Sequence, residues 1–188
     1  MIVGFAGYKQ VGKDTASTAS CFADWHHYAL ARPLRAVCTA VFGWSAPQMA
    51  NGSKETVDEF WGVSPRQAMQ AIGTELFRER LTSLFPEVGN VWVRRMVLEY
   101  ERVRDAGQSM VITDVRFPDE ARAVQELGGI VIRIDRPGYT AGPHASERKV
   151  DEIRADFRIR NDGTVSELHD RVWSTVAHWG STELVQSR

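Results

Sequence analysis

The amino-acid sequence predicts an α/β fold with a mainly parallel sheet. Five short apolar segments alternate with longer segments whose apolar residues recur at helical spacing, the pattern of βα units. The apolar segments are nearly uninterrupted, which is typical of strands covered by helices on both faces in a three-layer arrangement. The predicted strands cover residues 2–6, 28–30, 110–113, 130–134 and 157–160.

Helices are predicted between and after these strands, and two of them have clear start signals. Ser64, Pro65 and Gln67 begin one helix with a capping box, and Thr164 with Glu167 begins the last. The predicted helices cover residues 12–25, 34–42, 65–84, 91–104, 118–127 and 164–179.

Composition limits the classes of function. The 188 residues include 23 basic and 24 acidic residues, so binding of polymeric nucleic acid is disfavoured. No apolar run approaches the roughly 20 residues that a membrane helix needs, and residues 1–5 do not resemble a signal peptide. Cys21 and Cys38 lack metal or redox spacing. We therefore expect one cytoplasmic domain with two reduced thiols.

The loop after the first strand carries the clearest motif. Residues 7–13 match G-x-x-x-x-G-K, the phosphate-binding P-loop, between an apolar strand and a helix. Glycines let backbone N–H groups surround phosphates, the following helix directs its positive end at the same anion, and Lys13 can reach the β- and γ-phosphates. The hydroxyl residue that usually follows the lysine is replaced by Asp14. We expect Asp14 or Thr15 to hold Mg²⁺.

The helix from Pro65 indicates a second binding site. At 100° per residue, one face is apolar, and another carries one arginine, one amide and two small residues that leave room for a polar ligand. Arg78 lies at the edge of this second face. The apolar face consists of Ala68, Met69, Ile72 and Leu76, and the polar face of Arg66, Gln70, Gly73 and Thr74.

Two further loops follow predicted strands and should lie at the same sheet edge as the P-loop. In an extended chain Asp114 and Arg116 point the same way, so Asp114 could hold a sugar hydroxyl or water-bound Mg²⁺ while Arg116 grips a phosphate. The loop from Asp135 is rich in glycine, proline and basic residues. It is interpreted as a lid at about 136–152, containing Arg136 and His144.

These segments together resemble the phage-type deoxynucleoside monophosphate kinase family. The resemblance rests on the P-loop ending in Lys13-Asp14-Thr15 and on residues 65–78, Trp92, 114–120, 127–129, 144–147 and 161–164. It implies an ATP- and Mg²⁺-dependent kinase with a five-stranded parallel core, formed as one domain over residues 1–188 with a monophosphate-binding insertion at about 45–107. Val11 departs from the family pattern, which often has a small hydroxyl residue there.

The motifs and the resemblance together assign the site. The expected substrates are ATP and a deoxynucleoside monophosphate, and a homodimer is compatible with this class. Catalysis is expected from Lys13, Asp114, Arg116 and Arg136. ATP contacts are expected from Gly7, Lys9, Val11, Gly12, Lys13, Asp14, Thr15, Asn161, Gly163 and Thr164. Acceptor contacts are expected from Arg66, Gln70, Thr74, Arg78, Trp92, Asp114, Arg116 and Glu120.

Two other functions stay open at this point. Kinases of phosphomevalonate or of a coenzyme A precursor have similar folds, so the acceptor could be another small phosphorylated metabolite. A non-catalytic nucleotide-binding module is the third possibility. The arginines at positions 66, 78 and 116 favour a kinase, because a module without an acceptor has no evident need for a second anion site.

Overall fold

The structure is a computed structural model that describes residues 1–50, 52–140 and 149–186. The chain forms two compact units. One comprises Met1–Ala29 and Val97–Arg188, and the other is Leu30–Met96. The second unit overlaps the monophosphate-binding insertion predicted at about 45–107, and the role of that insertion stays a prediction.

A five-stranded sheet forms the centre of the first unit. Its strands are β1 (Ile2–Ala6), β2 (His26–Tyr28), β3 (Met110–Val115), β4 (Ile130–Asp135) and β5 (Phe157–Arg160). The order is β2-β3-β1-β4-β5, and every neighbouring pair is parallel. The predicted α/β class and the number of strands are confirmed, although β2 covers residues 26–28 and shares only Tyr28 with the predicted strand 28–30.

The helices follow the predicted order. They are α1 (Lys13–Ser17), α2 (Ala31–Phe42), α3 (Pro65–Gln70), α4 (Leu81–Leu84), α5 (Val91–Asp105), α6 (Pro118–Glu126) and α7 (Val165–Gln186). A π-helix, Ala71–Arg80, joins α3 to α4. Short 3₁₀ helices cover Ser20–Phe22, Ser53–Glu55, Pro86–Val88 and Lys149–Glu152.

Helices cover both faces of the sheet. Side chains alternate along β1, so Val3 and Phe5 join a core with Leu168 and Val172 of α7. Gly4 faces the opposite way, and a Cβ there would lie 3.5 Å from Val124 of α6. The three layers place the loops after β1, β3, β4 and β5 along the carboxyl edge, where ligands bind in open α/β sheets.

The first helix is much shorter than the prediction of residues 12–25. The hydroxyls of Ser17 and Thr18 donate hydrogen bonds to the carbonyl oxygens of Asp14 and Thr15, both at 2.8 Å. Such local bonds compete with helix continuation, and Thr18 ends α1. The helix dipole therefore contributes less at the P-loop than the sequence suggested, because only five residues are helical.

The unit Leu30–Met96 has its own small core, to which Cys38, Trp44, Met49 and Ala68 contribute. The predicted capping box is confirmed. Ser64 accepts a 3.2 Å hydrogen bond from the Gln67 N–H, and the Gln67 side chain accepts one of 2.9 Å from the Ser64 N–H. These bonds begin α3 at Pro65.

The π-helix overturns part of the face assignment made at 100° per residue. Leu76, predicted on the apolar face, is 55% exposed, while Gly73, predicted on the ligand face, is buried. A π-helix advances by more residues per turn than an α-helix, so the two faces diverge after residue 71. A Cβ at Gly73 would lie 2.6 Å from the Leu34 side chain, so protein atoms occupy the space that we expected a ligand to use.

Cys21 and Cys38 are free thiols, and burial raises the pKa of both.

None of the helices in residues 1–50, 52–140 and 149–186 combines the length and apolar character that a bilayer crossing requires.

Candidate active site

The loop after β1 has a backbone that only glycine can adopt at two positions. Gly7 has φ 143° and Gly12 has φ 103°. A Cβ on Gly7 would lie 2.5 Å from the Ile134 carbonyl oxygen, and one on Gly12 would lie 2.5 Å from Nδ2 of Asn161. Both glycines of the motif are therefore required by the close approach of neighbouring strands' ends as well as by φ.

The ammonium group of Lys13 lies inside this loop. The residue is only 8% exposed, and Nζ donates hydrogen bonds to the carbonyl oxygens of Gly7 at 2.7 Å and Tyr8 at 2.5 Å. The P-loop, residues 7–13, thus holds a buried positive charge at the carboxyl edge of the central strand. An anionic ligand is the natural counterpart of such a charge.

Asn161 braces the same loop from the end of β5. Its Nδ2 donates a buried hydrogen bond of 2.8 Å to the carbonyl oxygen of Val11, and its N–H donates one of 2.7 Å to Asp135. Val11 packs its side chain into the core. These two residues, expected to contact ATP, have structural contacts that shape the P-loop.

The candidate metal ligands lie in the first turn of α1. Asp14 is exposed and Thr15 is half-buried, and Nε2 of His169 lies 2.9 Å from the Thr15 carbonyl oxygen. Among the described residues, no group of three or more His, Cys, Asp or Glu side chains could enclose a metal ion. Proteins commonly bind Mg²⁺ through one or two side chains together with phosphates and water, so the assignment of Asp14 and Thr15 stays a prediction.

The end of β3 carries the predicted carboxylate and guanidinium. The strand extends to Val115, which is buried, while Asp114 and Arg116 on either side of it are half-buried. Glu120 is only 3% exposed and accepts hydrogen bonds from the N–H groups of Arg116 at 2.8 Å and Phe117 at 3.1 Å. Glu120 thus shapes this loop. The prediction was instead that its side chain contacts the monophosphate substrate.

The loops after β4 and β5 contain further predicted site residues, and the predicted helix start at Thr164 is confirmed there. The guanidinium of Arg136 lies 5.3 Å from the ring centre of Tyr139. Thr164 and Glu167 form the predicted capping box, in which the Glu167 carboxylate accepts a 2.7 Å bond from the Thr164 N–H. This bond is the main cause of the lowered pKa of Glu167. The exposed Gly163 precedes this turn.

Part of the predicted lid can be described. His144 and the rest of residues 141–148 lie outside the described residues. The 3₁₀ helix Lys149–Glu152 is anchored to β4 and the P-loop by hydrogen bonds of Val150 and Asp151. The segment predicted as a lid at about 136–152 therefore ends in a 3₁₀ helix that is anchored through Val150 and Asp151.

The remaining acceptor candidates belong to the unit Leu30–Met96. Arg66 pairs with Glu55 at 3.1 Å. Trp92 is 8% exposed, and its indole N–H donates a 2.9 Å hydrogen bond to the Gly73 carbonyl oxygen. The other three candidates are half-buried, namely Gln70, Thr74 and Arg78.

Sequence reasoning missed a charged cluster beside the P-loop. Arg133 lies in the buried strand β4 and bonds to Asp135 and Asp151, and Tyr8 also bonds to Asp151. A usable signal was present, because an arginine within an otherwise apolar strand must have partners when it is buried.

A G-x-x-x-x-G-K loop after the central strand of this parallel sheet defines the P-loop class of nucleotide-binding proteins. The family model described as deoxynucleotide monophosphate kinase matches residues 48–172, more than half of the chain. The chain is 34% identical over 187 residues to a "Putative deoxynucleotide monophosphate kinase" of Acanthamoeba polyphaga mimivirus, covering 94% of this chain and 96% of that protein. The chain belongs to the deoxynucleotide monophosphate kinase family.

Other similarities extend over different shares of the chains. The "Deoxynucleotide monophosphate kinase" of Enterobacteria phage T4 is 27% identical over 122 residues, which are 64% of this chain and 47% of that protein. Among solved structures, dephospho-CoA kinase from Campylobacter jejuni aligns with a TM-score of 0.47 at 11% identity, covering 95% of this chain and 96% of that one.

Proposed function

We propose that the protein transfers the γ-phosphoryl group of ATP to a deoxynucleoside 5′-monophosphate, producing the diphosphate and ADP. The observation that carries the proposal is the buried ammonium of Lys13, held by the carbonyl groups of Gly7 and Tyr8 at the end of the central strand. Membership of the deoxynucleotide monophosphate kinase family supports the choice of acceptor.

The donor side follows from the chemistry of phosphoryl transfer, which depends on positioning and electrostatic stabilisation rather than on covalent help from the protein. Lys13 supplies a positive charge for the β- and γ-phosphates, and the glycines allow backbone N–H groups to approach them. We place the ATP phosphates against this loop, with Lys9 at its exposed surface. The exposed Gly163 and Thr164 are proposed to border the nucleotide at the end of β5.

Asp14 and Thr15 are the residues that would hold Mg²⁺. Asp14 stands at the position of the usual hydroxyl ligand and exposes its carboxylate, and Thr15 is next to it in the same helical turn. A bound Mg²⁺ would neutralise part of the charge on the phosphate oxygens. The protein's own part is to orient these two side chains beside the P-loop, with the Thr15 carbonyl contacted by His169.

The acceptor side is proposed to use both positive charge and shape. Arg116 follows β3 in a loop held by Glu120, so its backbone is fixed while its guanidinium can form a bidentate contact with a phosphate. Asp114 is proposed to orient the acceptor or its metal, and Arg136 to contact the transferred group.

Within the unit Leu30–Met96, Arg66, Gln70, Thr74 and Arg78 are proposed to contact the acceptor. Arg66 would exchange its pairing with Glu55 for the phosphate. Trp92 exposes little of its ring and is anchored to Gly73, so it would offer the acceptor a fixed apolar edge.

A panel assay tests the proposal. ADP release is measured with ATP, Mg²⁺ and each common nucleoside monophosphate, alongside dephospho-coenzyme A and phosphomevalonate, with Lys13→Ala as the matched inactive variant. We expect acceptor-dependent ADP release with at least one deoxynucleoside monophosphate and its loss in Lys13→Ala. Activity with only a non-nucleotide acceptor would reassign the substrate. ATP binding without turnover on any acceptor would identify a non-catalytic nucleotide-binding module.

A further inference from the structure

Arg133 is a buried charge at a position where an apolar side chain would be expected. It lies in β4, is 5% exposed, and uses all three of its guanidinium nitrogens. Nε donates to Asp135 at 2.8 Å, one terminal nitrogen donates to the Val150 carbonyl at 3.0 Å, and the other donates to Asp151 at 2.8 Å. Strand β4 is thereby bonded to the 3₁₀ helix Lys149–Glu152.

Tyr8 connects this arginine to the P-loop. Its hydroxyl donates a 2.5 Å hydrogen bond to the second carboxylate oxygen of Asp151, and the guanidinium of Arg133 lies 5.4 Å from its ring centre. The Tyr8 carbonyl oxygen in turn accepts the 2.5 Å hydrogen bond of Lys13. A single residue of the loop therefore contacts the cluster through its side chain and Lys13 through its backbone.

Stability alone does not account for this arrangement. Replacing a buried ion pair by apolar residues of similar volume is often neutral or stabilising, so a buried arginine is a weak way to stabilise a strand. Directed hydrogen bonds at three nitrogens do, however, determine where each partner lies. The partners placed here are Asp135, Val150 and Asp151. Asp151 in turn accepts the hydrogen bond of Tyr8, whose backbone carbonyl holds Lys13.

We propose that Tyr8, Arg133 and Asp151 are positioning residues for ATP, which hold the first turn of the P-loop in the conformation that places Lys13. The proposal rests on the proposed function, because it concerns the donor site of that reaction. None of the three residues needs to touch ATP. The cluster acts through the Tyr8 backbone, so its loss should weaken ATP binding while leaving acceptor binding unchanged.

The test compares two variants that each disturb the hydrogen bonding between Tyr8, Asp151 and Arg133. Tyr8→Phe removes the donor and Asp151→Asn removes the carboxylate charge. Glu152→Gln is the matched control. It removes a carboxylate from the same 3₁₀ helix, but the partner of that carboxylate is Lys149 and not Tyr8 or Arg133. Four quantities are measured for these three variants and for the double variant Tyr8→Phe with Asp151→Asn. They are the ATP dissociation constant without acceptor, the KM for ATP, the KM for the acceptor and the thermal unfolding midpoint.

We expect each cluster variant to raise the ATP dissociation constant and KM by about three- to tenfold, the scale of one hydrogen bond. The KM for the acceptor and the behaviour of Glu152→Gln should match wild type. The double variant should weaken ATP binding less than the product of the two single effects, because both substitutions act on the same hydrogen-bonded cluster.

Two results would overturn the inference. Wild-type ATP affinity in both variants of an active enzyme would show that the cluster does not position the P-loop, while leaving the proposed function intact. Lower unfolding midpoints with unchanged ATP affinity would show a purely structural role. If the wild-type protein neither binds ATP nor turns over any acceptor, the proposed function fails and the inference fails with it.

Discussion

The side-chain amide of Asn161 donates a buried 2.8 Å hydrogen bond to the carbonyl oxygen of Val11, and so joins the end of β5 to the middle of the P-loop. The same Nδ2 atom occupies the space that a Cβ on Gly12 would need. Asn161 therefore helps to set the loop's shape, although it was predicted to contact ATP.

This bond predicts the behaviour of Asn161→Ala. The substitution leaves a buried carbonyl group without its partner, so we expect the free energy of unfolding to fall by about 1–3 kcal/mol. ATP affinity should fall with it, because the loop loses a brace. Urea denaturation and ATP titration measure the two quantities. Unchanged stability with weakened ATP binding would instead favour a direct contact between Asn161 and the nucleotide.

Asp14→Asn tests the metal assignment. We expect the Mg²⁺ concentration for half-maximal activity to rise about tenfold or more, while the KM for ATP at saturating Mg²⁺ changes less, because the carboxylate charge is lost from the ion's site. Thr15→Val is the companion variant. A Mg²⁺ dependence that shifts only in Thr15→Val would assign the ligand to Thr15.

Arg116→Ala tests the acceptor side. Loss of a charge-assisted phosphate contact of about 1.5–3 kcal/mol should lower kcat/KM for the monophosphate roughly 10- to 150-fold, with ATP affinity measured without acceptor unchanged. Arg116→Lys should recover part of the loss, because lysine keeps the charge without the bidentate geometry. Arg122→Ala, an exposed arginine on α6, is the control. Weakened ATP affinity with normal acceptor affinity would move Arg116 to the donor side.

The Tyr8–Asp151 bond predicts a window of pH independence. Hydrogen bonding to the Tyr8 hydroxyl lowers the pKa of Asp151, and hydrogen bonding to Asp151 raises the pKa of Tyr8. The contribution of Asp151 to the stability of the folded state is present above its unfolded-state pKa of about 4. It is lost as pH falls through the lower folded-state pKa. The contribution of Tyr8 to the stability of the folded state is present below about pH 10. It is lost as pH rises through the higher folded-state pKa.

We therefore expect the ratio of ATP dissociation constants, Asp151→Asn over wild type, to stay constant from about pH 5 to pH 9. Using a ratio cancels the titration of ATP itself. A ratio that approaches one inside this window would mean that the pair titrates there, contrary to the directions of the two pKa shifts.

Local sequence signals predicted the fold well where they act over a few residues. Four strands were predicted to within two residues because their apolar runs are short and bounded, whereas β2 (His26–Tyr28) was predicted two residues too late. The capping residues Ser64 and Thr164 were confirmed as helix starts. The early end of α1 was missed because serine and threonine side chains compete for its carbonyl groups, an effect that apolar periodicity does not report.

Long-range contacts explain the larger misses. The π-helix brings Gly73 against Leu34 and gives its carbonyl to Trp92, which is 19 residues away along the chain. Periodicity at 100° per residue cannot anticipate that change. Likewise the partners of Arg133 come from residues 8, 135, 150 and 151, so the sequence indicated an arginine needing partners without identifying them.

Transfer of a labelled phosphoryl group is a direct test of the proposed kinase reaction. Wild type and Lys13→Ala are incubated with γ-labelled ATP, Mg²⁺ and each deoxynucleoside monophosphate, and the labelled products are separated. We expect wild type to place the label on the β-position of a deoxynucleoside diphosphate, and Lys13→Ala to do so at a rate about 10²-fold lower or less. Label that remains on ATP with every monophosphate, or that appears only as inorganic phosphate, would rule out the proposed transfer to a deoxynucleoside monophosphate.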